Sequence, residues 1–205
     1  MHHESPPHMS NDASGRLLLE GLLRREFAVY YQPQYDVVTG APVAVELLLR
    51  WYHPDRGTVP ASEFMPAAES SGAIVPIGAW ALVAACREAT TWFSNWPELR
   101  LAVNVSGRQL AEPGMAAQML QSLERGGFQP ARVDVEVRLG TLHAAPASAL
   151  AELAALRAAG ASVVLDEFGQ EGDTLPGPVP ADGLKLARRL VAAATQDGEP
   201  PPQLL

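Results

Sequence analysis

Cysteine is nearly absent: the chain of 205 residues holds one, Cys86. A disulfide framework is therefore excluded, which suits a reducing compartment. Cys86 lies in AWALVAACREA, an apolar pattern at helical spacing, and reads as a small core residue rather than a reactive thiol. Long apolar runs are missing too. None approaches the roughly 18–20 residues needed to span a bilayer. The opening residues, MHHESPPHMSNDASG, lack the apolar centre of a secretory leader and read as a flexible tail. There is no basic stripe. The formal net charge is -8 and the pI about 5.1, which tells against a partner bound through nucleic-acid phosphates. A small anionic ligand stays open if a cation, or a local Arg or Lys, receives it.

What is present is enough apolar material for one domain with a sizeable core: 47% of residues are hydrophobic, with a mean hydropathy of +0.01. SGRLLLEGLLRREF predicts a helix with Ser14 as N-cap. FAVYYQPQYDVV and PVAVELLLRW, joined by a turn at Thr39-Gly40, predict a β-hairpin, with the first strand bending or ending at Pro33. PASEFMPAAESSG reads as a helix entry and a loop, followed by a long amphipathic helix through PIGAWALVAACREATTWFSNW. Strands and helices then alternate: LRLAVNVS, MAAQMLQSLERGG, ARVDVEVRL, SALAELAALRAAG, ASVVLDEFG, a Pro- and Gly-rich loop, DGLKLA and RRLVAAAT. Such alternation predicts a mostly parallel α/β sheet, and pattern alone leaves doubly wound and barrel folds both open. TQDGEPPPQLL is polar, Pro-rich and predicted to be unstructured.

Four strands share a device. Each runs three residues and then places an oxygen-bearing side chain: Glu46 in VAVE, Asn104 in LAVN, Glu136 in VDVE and Asp166 in VVLD, with Glu167 directly after Asp166. A fifth strand, DGLK, places Lys185. In a parallel sheet or barrel these positions fall near the C-terminal strand ends, where α/β folds build their sites. One such acid is ordinarily a solvated loop residue or a helix cap; a set repeated on four strands points to a site. Three carboxylates and an amide cannot be desolvated together without compensation. Oxygen ligands with no His or Cys favour a hard divalent ion over zinc.

These stretches resemble the EAL domain, the bacterial cyclic di-GMP phosphodiesterase family. YYQPQYD is similar to the family's YQP opening. VELLLRWYHPDRG is similar to its E-A-L-L-R-W-x-H-P-x-x-G signature, with Leu47 where the family has Ala. PASEFMPAAESSGAIVPIG, VNVS, VEV, LDEFG and LKL follow in the family's order, and the likeness covers about residues 17 to 191. The expected divisions are thus a tail over 1–16, the EAL-like domain over 17–191 and a Pro-rich tail over 192–205. The resemblance implies a modified TIM-type (β/α) barrel with an antiparallel first strand, and a site for cyclic di-GMP. In active members two Mg²⁺ or Mn²⁺ ions activate a water for in-line attack on one phosphodiester. By motif, Glu46, Asn104, Glu136, Asp166 and Glu167 correspond to the metal ligands, and Lys185 to the lysine near the attacking water. Gln32 and Arg50 correspond to ligand-contacting positions. A cytoplasmic location follows from that ligand and the lack of a leader.

The departures matter as much. The family's D-D-F-G-T-G-Y-S-S loop reads DEFGQEGDT, so Glu167 carries one methylene more than the family's aspartate. E-I-T-E reads EVRL, putting Leu139 at the second Glu, and K-I-D reads KLA, putting Ala187 at the Asp. Segments matching the family's A-E-G-V-E and Q-G are not found, which predicts an incomplete barrel of about six strands out of eight. Two expectations compete, beside a third, a gene fragment with no stable function, which the well-kept apolar patterning through residue 165 tells against. One is a degenerate, truncated module that does not turn over substrate and acts through a protein partner or a homodimer covering the open barrel, with weak cyclic di-GMP binding. The other is a working phosphodiesterase.

Overall fold

A computed structural model of the chain describes residues 11–93, 95–169 and 179–197. Helix α1 (Asn11–Leu23) leads into β1 (Phe27–Tyr35) and β2 (Pro42–His53), an antiparallel hairpin. Its turn closes on Asp36, whose Oδ1 accepts the N–H groups of Val38 and Thr39 and the Thr39 hydroxyl. Gly40 completes the turn at φ 70, a backbone state that a side chain disfavours. Strand β3 (Gly57–Pro60) folds back on β2, and helices α2 (Ala61–Ser71) and α3 (Ile74–Phe93) follow. Strand and helix then alternate: β4 (Arg100–Asn104), α4 (Gly107–Leu110), α5 (Met115–Gly126), β5 (Val133–Arg138), α6 (Leu139–Ala144), α7 (Ser148–Ala158), β6 (Ser162–Phe168), β7 (Gly183–Leu186) and α8 (Arg188–Asp197).

All seven strands form one sheet in the order β1-β2-β4-β5-β6-β7, with β3 attached to β2. β1 and β3 run antiparallel to β2, and every pairing from β2 onward to β7 is parallel. The expected α/β architecture with an antiparallel first strand is therefore present. Among the described residues β1 and β7 are the sheet's edges, so the barrel is not closed.

Alternation along each strand sets the layers. Leu47, Leu49 and Trp51 of β2, Leu101 and Val103 of β4, Val135 and Val137 of β5, and Val163 and Leu165 of β6 are buried in one core with Ile77, Leu82, Leu123, Leu153 and Leu156 of the helices. The alternate positions, including Glu46, Asn104, Asp134, Glu136 and Asp166, belong to the sheet's other face. Burial of so many β-branched and leucyl side chains, at about 25 cal/mol per Å² of apolar surface, is the main force holding helices on sheet. Cys86 is fully buried on α3, where α5 approaches so closely that a Cβ on Gly126 would lie 2.3 Å from the Cys86 Cβ. Burial pushes the thiol's pKa up to about 12, so it stays protonated and inert.

Several boundaries differ from expectation. α1 begins at Asn11, so Ser14 is inside the helix rather than its cap, and residues 11–16 are helical. α8 runs to Asp197, so residues 192–197 are helical. Residues 1–10, 170–178 and 198–205, which include the outer tails and the QEGDT loop, lie outside the described residues. β1 passes through Pro33 to Tyr35, and its irregularity comes one residue later, between Gln34 and Tyr35. The reason is its place at the sheet edge, where one side of the backbone is free of ladder bonds and a residue without an N–H fits. β3, four residues bounded by Gly57 and Pro60, was not expected from the sequence. α2 is a full helix rather than an entry and a loop, with Pro66 inside it.

Candidate functional site

The inner face of β5 carries a charge at every second residue: Asp134, Glu136 and Arg138. Around Glu136 the sheet gathers residues from four strands. The Lys185 ammonium on β7 donates to Glu136 Oε2 at 2.7 Å and to Glu46 Oε2 at 3.0 Å. Glu46 Oε1 accepts from the Asn104 amide at 2.8 Å, and Glu136 Oε1 lies 3.4 Å from the Gln34 amide nitrogen on β1. Parallel register makes this possible, because Glu46 aligns with Ala102 and Asn104 with Glu136 on neighbouring strands.

The electrostatics are uneven. Glu136 is 2% exposed, whereas Lys185 retains 31% side-chain exposure. Burial raises the Glu136 pKa above the usual carboxylate range, against the opposing pull of Lys185. Burial alone would lower the Lys185 pKa, but hydrogen bonds and charge from Glu136 and Glu46 outweigh it and raise the value. Glu136 has given up nearly all its water and Lys185 has not, so the carboxylate is the more heavily desolvated partner of the pair.

Asp166 and Glu167 end β6 apart from this chain of bonds. Asp166 aligns with Arg138, and its Oδ1 accepts the N–H of Glu167 at 2.8 Å. Glu167 holds a positive φ of 58, its side chain is 46% exposed, and it faces Arg138 at 3.7 Å. A register irregularity between Leu165 and Phe168 accompanies that turn of the backbone. A cavity of about 660 Å³ opens beside the strand ends, lined by Glu46, Asn104, Asp166 and Arg138 and running under α2, α3 and α5. Glu136, Glu167, Lys185, Gln32 and Arg50 do not line it.

The structure thus brings Glu46, Asn104, Glu136 and Lys185 together and puts Asp166 at the cavity wall, while Glu167 does not line it and faces Arg138, which does. Gln32 is exposed opposite Glu46 on the hairpin. Arg50 donates to the Leu49 carbonyl and stacks over the Tyr30 ring at 5.4 Å, whose hydroxyl meets that of Tyr52 at 2.6 Å. Sequence reasoning missed Gln34 and Arg138. Gln34 follows Gln32 by two and so shares its face, and Arg138 follows Glu136 by two, so the period of a strand carried both signals.

All-oxygen donors suit a hard divalent cation in chemistry. Among the described residues no three His, Cys, Asp or Glu side chains are gathered closely enough to hold a metal ion, and the Lys185 ammonium itself bridges Glu46 and Glu136.

The family described as EAL domain matches residues 16–202. The chain belongs to the EAL domain family. It is 32% identical over 185 residues to the bifunctional diguanylate cyclase/cyclic di-GMP phosphodiesterase MucR of Pseudomonas aeruginosa, covering 89% of this chain and 27% of that protein. It is 33% identical over 187 residues to the cyclic di-GMP phosphodiesterase PdeR of Escherichia coli, covering 88% of this chain and 28% of that protein. The EAL chain thus spans roughly a quarter of the length of these curated relatives. The solved MucR phosphodiesterase, in complex with c-di-GMP, superposes with a TM-score of 0.79 at 31% identity, over 91% of this chain and 76% of that one. The EAL domain of Xanthomonas citri FimX, also with c-diGMP, gives 0.75 at 20% identity over 91% and 73%, a likeness of fold alone. Among the described residues of this EAL domain, no helix is long and apolar enough to cross a membrane.

Proposed function

We propose that this EAL domain binds cyclic di-GMP without hydrolysing it at a useful rate and reports the bound state through contacts with another protein. The observation that carries the reading is the position of Glu167. The family's motif has an aspartate there; here a longer acid sits at φ 58, half exposed, facing Arg138 outside the cavity that Asp166 lines. Misplacement of a reacting group by about 1 Å can cost on the order of a hundredfold in rate. The retained Glu46, Asn104, Glu136 and Lys185, and the cavity beside them, support ligand recognition. For Mg²⁺ or Mn²⁺ to be held by Glu46, Asn104, Glu136 and Asp166, the Lys185 ammonium would have to leave the two glutamates and Asp166 would have to close on them. When bound, such an ion polarises a phosphate and acidifies water. The chain's own residues hold the acids in place: Lys185 fixes Glu46 and Glu136, and Asn104 orients Glu46.

Contact with a protein partner or a second copy is supported by the open edge at β7, where Leu184 is 51% and Leu186 38% exposed. Sedimentation that finds only a stable monomer, with and without nucleotide, counts against a second copy. A working phosphodiesterase is the second reading, favoured by the same bonded set on four strands. Incubation with cyclic di-GMP and Mn²⁺, followed by chromatography, separates the two. Metal-dependent linear dinucleotide that disappears in Glu46→Ala establishes the second reading and removes the first.

A further inference from the structure

Of the three charges on the inner face of β5, two are bonded closely and one is not. Asp134 meets Arg100 at 2.7 Å and Glu136 meets Lys185 at 2.7 Å. Among the described residues Arg138 pairs only with Glu167, at 3.7 Å, with 65% and 46% of the two side chains exposed. That distance is beyond a hydrogen bond, and a pair so exposed contributes little. Yet among the residues lining the 660 Å³ cavity, Arg138 is the one with a positive charge, while Glu69 and Asp166 bring negative charge to the same wall beside Glu46 and Glu112, which are paired with Lys185 and Arg108. The volume falls within the range of small-molecule sites.

A cyclic dinucleotide carries two phosphodiester charges. Presented to that wall alone it would be repelled. A guanidinium is permanently charged, is weakly hydrated, and offers paired N–H donors whose geometry matches two phosphate oxygens.

We propose that Arg138 is a phosphate receptor of the cavity, parked on Glu167 when the cavity is empty and transferred to a phosphodiester of the nucleotide when it fills. The assignment rests on the binding reading above and adds the residue that makes an acidic cavity accept an anion. Glu167 then has a second role: it competes with the ligand for Arg138. The exchange needs no change in the fold, because Arg138 enters α6 through its backbone and its side chain is mostly in solvent.

The test is calorimetry of the full chain with cyclic di-GMP in excess EDTA, so that no metal contributes, from about 50 to about 500 mM salt. Arg138→Ala and Arg138→Gln are expected to weaken binding roughly five- to twentyfold at low salt and to flatten its salt dependence. Arg138→Lys recovers part of the loss. Glu167→Gln tightens binding a few-fold by releasing Arg138 and removing a repelling charge. Melting temperatures of all four should match the parent, which separates the effect from unfolding. Parent protein that binds with both Arg138→Ala and Arg138→Gln within twofold overturns this assignment alone. Parent protein that takes up no cyclic di-GMP overturns the binding reading and this assignment together.

Discussion

Two groups of charges stand at opposite ends of the sheet's strands, and they are built on opposite plans. Toward the N-terminal strand ends, Arg100 donates to Asp134, to the Ala131 and Val133 carbonyls and to Ser162. Beside it, Arg157 pairs with Asp182, which also accepts the Val163 N–H at 2.9 Å. Each acid there has its own arginine. Toward the C-terminal ends, Glu46 and Glu136 share one ammonium, and among the described residues Asp166 leans on the backbone beside it. A layer whose charges are matched one to one ties strands together. A layer short of positive charge is poised to receive some, and α/β folds place their sites at that end.

The largest expected effect comes from removing the shared cation. Lys185→Met leaves Glu136 buried without an opposite charge, and should cost about 3 kcal/mol at neutral pH, read from urea unfolding. That loss should shrink as the pH falls and Glu136 takes up a proton. Arg100→Met should cost about 2 kcal/mol, since several acceptors lose a half-exposed partner. Equal losses with equal pH dependence would erase the distinction between the layers.

The two layers should also titrate in opposite senses in metal-free buffer. The Asp182 pKa is lowered by hydrogen bonds from Arg157 and the Val163 N–H. Its folded value lies below its unfolded one, so its stabilisation is present above the ordinary carboxylate range and is lost as the pH falls through the lowered value. The Glu136 pKa is raised by burial, so its contribution is present below the ordinary range and is lost as the pH rises through the raised value. Asp182→Asn should remove the first slope from the profile of unfolding free energy against pH, and Glu136→Gln the second. Slopes of the same sign at both positions would contradict the comparison.

The smallest effect sharpens the site end. Glu167 stands at φ 58, where a side chain is strained and glycine is not. Glu167→Gly should be neutral or stabilising by about 0.5 kcal/mol. A loss above about 1 kcal/mol would mean that Glu167 holds the strand end together rather than standing clear of it.

The alternation of strand and helix was legible in the sequence, because most strands announce themselves by a short apolar run and most helices by their period. The Glu46–Asn104–Glu136–Lys185 grouping was legible too, since one acid or amide recurs at the same depth in successive strands. Three things were not. Pro33 suggested a strand end because local propensity cannot tell an edge strand from a central one. Strand β3 is too short to carry a period. The positive φ at Glu167 accompanies the register slip between β6 and β7, and the side chain alone gives no sign of it.

The most direct measurement pairs binding with turnover on one preparation: calorimetry for cyclic di-GMP, and chromatography of the same mixture after incubation with Mn²⁺. Saturable binding with no more linear dinucleotide than Glu46→Ala produces is the predicted result. Linear product that accumulates with metal and vanishes in Glu46→Ala would contradict the account.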